Sequence, residues 1–231
     1  MLRLLKVNSS NPFFVLLVIC LVGPTHANAA IVYSNLGPGD TFSGYGDSFG
    51  KGSREYIFWG ASFTLGSSSF AFTSAEVPLV SLSGSNEVTF GLRSDNSGLP
   101  GALLQSFSAS IPPNGYAIVT FHGTVPFVLN CGTTYWLTSE DDAPDDTYAG
   151  WFENNIGFVK SVAIRYGSGD WLTSFYPPDI ATVAFRINGD LIAVTDCPEP
   201  TSIAMLGVGA LCFLGNGLRR RNLRKRPAKA F

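Results

Sequence analysis

The stretch that decides the fold is Glu87-Val88-Thr89-Phe90-Gly91-Leu92-Arg93, followed by Ser94-Asp95-Asn96-Ser97-Gly98. Val88, Phe90 and Leu92 fall on one face of an extended chain, and Glu87, Thr89 and Arg93 largely oppose them. Successive side chains of a strand point to opposite faces, so this period of two is a half-buried β-strand. The Asp-Asn-Ser-Gly segment that ends it is turn chemistry, where Asn or Gly supplies a positive φ. Val183, Phe185 and Ile187 repeat the pattern, with Arg186 outward.

Outward from that strand the same grammar continues. Apolar, β-branched and aromatic runs recur every eight to fifteen residues between Gly, Ser, Pro, Asn and Asp clusters. Candidate strands are 31–34, 57–65, 70–82, 87–93, 103–108, 116–121, 125–129, 134–139, 149–153, 159–166 and 182–188. Gly167-Ser168-Gly169-Asp170 is a second turn. No helical periodicity, internal repeat or interior break interrupts the run. The expected class is all-β: an antiparallel, jelly-roll-like β-sandwich over residues 30–197, flanked by a signal peptide and a C-terminal transmembrane helix.

Charge separates that block from its flanks. The chain's 231 residues total −2, but residues 31–200 hold six basic groups and all 17 acids, a net of −11. Residues 1–30 hold two basic groups and residues 201–231 hold seven, with no acid in either. Only 14% of residues are charged, which speaks against a disordered chain or a coiled coil. The acidic block has no basic cluster, so nucleic acid is not an expected partner.

The N-terminus reads as a signal peptide over residues 1–29. Arg3 and Lys6 form its basic region, residues 13–22 its apolar region, and Ala27-Asn28-Ala29 its small-x-small cleavage site. Ten apolar residues are too few to cross a bilayer. At the other end, Pro198-Glu199-Pro200 precedes 18 uncharged residues, 201–218, then Arg219-Arg220-Arg221 and a basic tail, 222–231. Those 18 residues would make a helix of about 27 Å, just enough to span. Lys and Arg beside a span stay on the cytoplasmic side, so the acidic block is expected outside.

Pro-Glu-Pro, a short span rich in small residues and an arginine cluster together resemble the PEP-CTERM sorting signal, over residues 198–221. The tail 222–231 departs from the family, which stops soon after the arginines. The resemblance implies export through the Sec translocon, a membrane-held intermediate, and cleavage near Pro-Glu-Pro by an exosortase, a membrane cysteine protease-transpeptidase. Its carriers are exported proteins of Gram-negative bacteria that also make extracellular polysaccharide. The plainer alternative is an ordinary C-terminal membrane anchor. A second resemblance spans residues 57–190. Trp59-x-x-x-Phe63-Thr64, the Arg93-Ser94-Asp95-Asn96-Ser97-Gly98-Leu99-Pro100-Gly101 turn and Tyr135-Trp136-Leu137 after Cys131-Gly132 resemble the choice-of-anchor R type of extracellular β-sandwich. That resemblance implies architecture and a cell-surface location rather than chemistry.

Catalytic motifs are scarce. His26 belongs to the signal peptide, which leaves His122 at a strand end before Gly123, read as a solvated edge residue. Gly46-Asp47-Ser48-Phe49-Gly50 matches the G-x-S-x-G elbow in letters, but a loop is expected before it and no helix after it. No enzyme is therefore expected. Glu140-Asp141-Asp142-Ala143-Pro144-Asp145-Asp146 packs five carboxylates into seven residues. A solvated loop is the plain reading. No cofactor is expected, with Ca²⁺ on Asp141, Asp142, Asp145 and Asp146 as the one candidate.

Trp59, Trp136, Trp151, Trp171, Tyr148, Phe152, Phe175 and Tyr176 are placed in or near loops and strand ends. Exposed aromatic faces bind sugar rings, which makes a carbohydrate-binding module the main rival to a structural, polysaccharide-associated protein. A polysaccharide hydrolase, weaker still, would need two carboxylates flanking a cleft. Cys20 and Cys212 fall in the signal peptide and the span. Cys131 and Cys197 are both expected outside, where a disulfide can form and would close a loop of about 65 residues.

Overall fold

Val88, Phe90 and Leu92 have no exposed surface, as their alternation requires. They lie on β5 (Glu87–Asn96), which turns directly into β6 (Leu99–Ser110) through Ser97 and Gly98. Both turn residues have positive φ, 56° and 85°, the two-residue geometry that follows the twist of a hairpin. Glycine holds the second position without a steric penalty. The Gly98 amide also donates to Asp95 Oδ2.

The computed structural model describes residues 29–52, 56–113, 115–140, 146–159, 161–173 and 181–192. Within them the other strands are β1 (Ala30–Ser34), β2 (Gly46–Phe49), β3 (Ile57–Thr64), β4 (Ser69–Ser83), β7 (Tyr116–His122), β8 (Val128–Leu129), β9 (Thr134–Glu140), β10 (Tyr148–Phe152), β11 (Val162–Tyr166), β12 (Leu172–Thr173) and β13 (Arg186–Ile192). They form two antiparallel sheets. One runs β1-β13-β4-β10-β2, with β7 and β8 on the other edge of β4. The second runs β12-β11-β3-β9-β5-β6. No helix among the described residues is long and apolar enough to cross a membrane.

The sheets face each other across one aromatic core. Phe90 of β5 meets Phe121 of β7 at 4.8 Å and Trp151 of β10 at 4.9 Å between ring centroids, so one side chain joins both sheets. Offset and edge-on ring pairs of this kind add to the burial term. β4 is the spine of the larger sheet: β13 pairs with it up to Glu76, and β10 takes over at Leu79. Pro78 falls in the gap between them, where a strand tolerates a residue with no N–H. Asn35, almost fully buried, donates to the Val183 carbonyl and accepts from the Phe185 amide, fixing the segment that follows β1.

Several sequence expectations need correction. Residues 46–49, which fall in none of the expected strands, are β2, paired with β10 from Phe49↔Ala149 to Gly46↔Phe152. β5 and β6 run further toward their turn than expected, because the two-residue turn lets pairing continue to Asn96↔Leu99. The expected strand 125–129 is a strand only at Val128–Leu129, after Pro126. The expected strand 182–188 is shifted: Val183 makes only an isolated bridge to Glu153, and the ladder proper starts at Arg186. β12 went unforeseen.

Residues 1–28 and 193–231 lie outside the described residues. So do Ala27 of the cleavage site, Cys197, Pro198-Glu199-Pro200, the span 201–218, Arg219, Arg220, Arg221 and the tail 222–231. Asp141, Asp142, Asp145, Phe175 and Tyr176 also lie outside them. Ala29 is exposed and immediately precedes β1. Ala30 pairs with Gly189, and Ile192 pairs with Ser69, so both ends of the described chain lie where β4 begins.

Candidate functional site

The outer face of the six-stranded sheet carries polar chemistry in two neighbouring patches. Trp59, Ala61 and Phe63 of β3, Tyr135 and Leu137 of β9, and Phe90 and Leu92 of β5 belong to the core. By alternation Ser62 and Thr64, Thr134, Trp136 and Thr138, and Arg93 and Asp95 turn the other way. Register then aligns them. Ser62 sits opposite Trp136, Thr64 opposite Thr134, and Trp136 opposite Arg93.

The first patch is an open groove of about 370 Å³ lined by Ser62, Thr64, Asp95, Gly98, Thr134, Trp136 and Ser161. Its walls are pre-set by internal bonds. The Thr64 and Thr134 hydroxyls share a hydrogen bond of 2.9 Å across the strands. Trp136 Nε1 donates to Asp95 Oδ1 at 2.8 Å, and the Gly98 amide donates to Asp95 Oδ2 at 3.2 Å. Ser62 reaches the Ser161 carbonyl at 3.4 Å. The lining holds four hydroxyls, one carboxylate and no basic side chain.

The second patch is a buried ionic stack. Arg93 grips Glu140 with two parallel bonds, Nε to Oε1 at 2.7 Å and Nη2 to Oε2 at 2.8 Å. Arg165 Nη2 reaches Glu140 Oε2 at 3.4 Å. The Arg165 guanidinium sits 5.0 Å from the ring centres of both Phe58 and Trp171. Such bidentate pairs combine energy with a fixed geometry. The stack is possible because residue 91 has no side chain: a Cβ there would stand 2.5 Å from Glu140 Oε1. Glycine within a strand often marks such a close approach.

These placements correct two expectations. Glu140 belongs to β9 and is 3% exposed, so it is a structural anion rather than a member of a solvated acidic loop. Trp59, Trp136 and Trp151 are at most 3% exposed, so none offers a face to a sugar ring. Among the described residues Tyr45 and Tyr116 are the most exposed large aromatics, at 80% and 70%. Tyr116 packs with Phe42 and Phe152, but its ring stands 88° and 77° to theirs, so the trio makes no flat platform.

Other predicted residues fall as follows. His122 is exposed at the end of β7. Ser48 is in mid-strand, and its carbonyl accepts from Trp59 Nε1, so it sits on no strand-to-helix elbow. Asp146 is exposed in a turn. Among the described residues no three His, Cys, Asp or Glu side chains gather as a metal site would require. Cys131 is disulfide-bonded, and its partner lies outside the described residues. Its amide donates to Ser69 Oγ at 3.0 Å.

Two carboxylates do come together elsewhere. Asp47 pairs in register with Trp151, and Glu153 lies two residues further along that face. Burial, reinforced by the charge of Asp47, raises the Glu153 carboxyl above its ordinary value. A raised folded-state value means that this group's contribution is fully present below the ordinary glutamate value of 4.5 and is lost as pH climbs through the raised one. Glu153→Gln should therefore give a small rise in melting temperature at pH 7 and none at pH 3. Melting curves at the two pH values check this, and equal shifts at both would refute the coupling.

Sequence reasoning missed both patches. The available signal was the scarcity of cations: Arg93, Arg165 and Arg186 are half of the six basic groups in an acidic block, and a strand-borne cation there must find an acid. Arg186 also does so, bridging Asp40 and Glu76. In comparisons with known proteins, no family model and no curated protein matches the chain.

Proposed function

We propose that this chain is an exported, non-enzymatic envelope or extracellular-matrix protein. Its acidic sandwich is the working part and its two ends are addresses. The observation that carries this reading is the disulfide at Cys131. Structural disulfides form and persist in oxidising compartments outside the cytoplasm. We take the sandwich to be jelly-roll-like, on the support that most successive strands change sheets.

In this account the Sec translocon exports the chain, and residues 201–218 hold it in the inner membrane with Arg219, Arg220 and Arg221 in the cytoplasm. An exosortase then cuts near Pro198-Glu199-Pro200, and the acidic domain reaches the cell surface or a polysaccharide matrix of a Gram-negative bacterium. Cys197 is the proposed partner of Cys131. Five residues from Ile192 can reach about 17 Å, and Ile192 pairs with the Ser69 that also binds the Cys131 amide. The bond would clamp the stem of the sorting segment to the sandwich.

Two experiments test this. Alanines in place of Pro198-Glu199-Pro200 should leave the protein unprocessed in the membrane fraction; normal maturation would count against exosortase handling. Thiol labelling of the non-reduced mature protein should find neither Cys131 nor Cys197 reactive, and two labelled thiols would end the pairing.

A further inference from the structure

We propose that the groove on the outer face of the six-stranded sheet binds a neutral saccharide unit. The inference deepens the matrix reading and rests on it only for where such a ligand would be met. The argument is one of donors, acceptors and charge. Ser62, Thr64, Thr134 and Ser161 bring hydroxyls; the Ser62 proton goes to the Ser161 carbonyl and the Thr64–Thr134 pair uses one more, and the donors and acceptor positions that remain match a ligand that is itself covered in hydroxyls. Asp95 brings a carboxylate whose two oxygens are already aimed by Trp136 Nε1 and the Gly98 amide. Each oxygen keeps a free acceptor position, so the pair can take two adjacent hydroxyls of one sugar ring in charge-assisted bonds.

The same lining discriminates against other ligands. With no Arg, Lys or His in it, nothing offsets the Asp95 charge for a phosphate, sulfate or uronate. A single carboxylate is too little for a divalent cation, which takes six or more oxygens. An apolar ligand would strand the hydroxyls without partners. The volume, about 370 Å³, is at the small end for ligand sites. Trp136 is 1% exposed, so the ligand is held by hydrogen bonds rather than by ring stacking.

The test is calorimetry on the full chain in a detergent without a sugar headgroup. The probes are gluco-, galacto- and manno-configured neutral trisaccharides, with trigalacturonate as the charged comparator. At least one neutral probe should bind at millimolar concentration or better, and trigalacturonate should bind more weakly. Asp95→Asn, which keeps an acceptor for Trp136, should weaken that binding by about tenfold or more, the worth of one charge-assisted hydrogen bond. Thr64→Val, at an exposed site, should weaken it without moving the melting temperature. The proposal is overturned if no neutral probe binds, if trigalacturonate binds more tightly, or if both variants bind like the wild type. Sorting is read separately from processing of the Pro198-Glu199-Pro200 variant, so either idea can fail alone.

Discussion

Glu140→Ala is expected to destabilise the domain by about 3–5 kcal/mol, the cost of breaking a buried ion pair on one side. Glu140 is 3% exposed, and the side chains of Arg93 and Arg165 are 15% and 11% exposed. Removing the carboxylate leaves two guanidinium groups with their main anion gone, in a site that water hardly reaches. Folded domains are stable by only about 5–15 kcal/mol, so the loss consumes much of the margin. Glu140→Gln should fall between, since the amide keeps one acceptor but loses the charge. Urea unfolding of the three proteins decides it. A loss under about 1 kcal/mol for Glu140→Ala would mean that the stack behaves as a surface pair, whose worth is about 0–1 kcal/mol.

Trp151→Ala is the second large effect, expected at about 3–5 kcal/mol for truncating a fully buried aromatic. Trp151 has no exposed surface. Its ring lies edge-on to Phe90 at 4.9 Å and to Phe185 at 6.4 Å, and its Nε1 donates to the Ala184 carbonyl at 2.8 Å. Trp151→Phe separates the two roles. It keeps most of the apolar contact but strands that carbonyl, at a cost of about 1–3 kcal/mol. If both variants cost the same, the hydrogen bond rather than the packing holds this part of the core. Thermal or denaturant unfolding gives the comparison.

The all-β class was legible because burial of one face forces the period of two. Val88, Phe90 and Leu92 show it, and so do Val183, Phe185 and Ile187, all buried even though the ladder begins three residues later than their pattern suggested. β2 was not legible. Gly46-Asp47-Ser48-Phe49 holds one strong strand-former, and it is extended because β10 pairs with all four residues, a tertiary fact. The ionic stack was hidden for the same reason. Arg93 and Glu140 are 47 residues apart, and only the β5–β9 register and the bare Gly91 bring them together. The aromatic count pointed the other way. Of the tryptophans that suggested an exposed sugar platform, Trp59 and Trp151 turn into the two-sheet core, as large side chains there do, and Trp136 is covered on the outer face. The groove is readable only after the register is known, because its hydroxyls come from two strands, β3 and β9, and a loop that sequence alone cannot align.

The central claim is that the near-zero net charge of the chain belongs to no working molecule, because both basic ends are removed. The direct test is intact-mass measurement of the protein recovered from the surface and medium of cells that export it, compared with their cytoplasm. The account predicts a surface species that starts at about residue 30, ends near Pro198, and carries Cys131 in a disulfide. A full-length chain of 231 residues, found in the cytoplasm with Cys131 as a free thiol, would contradict it.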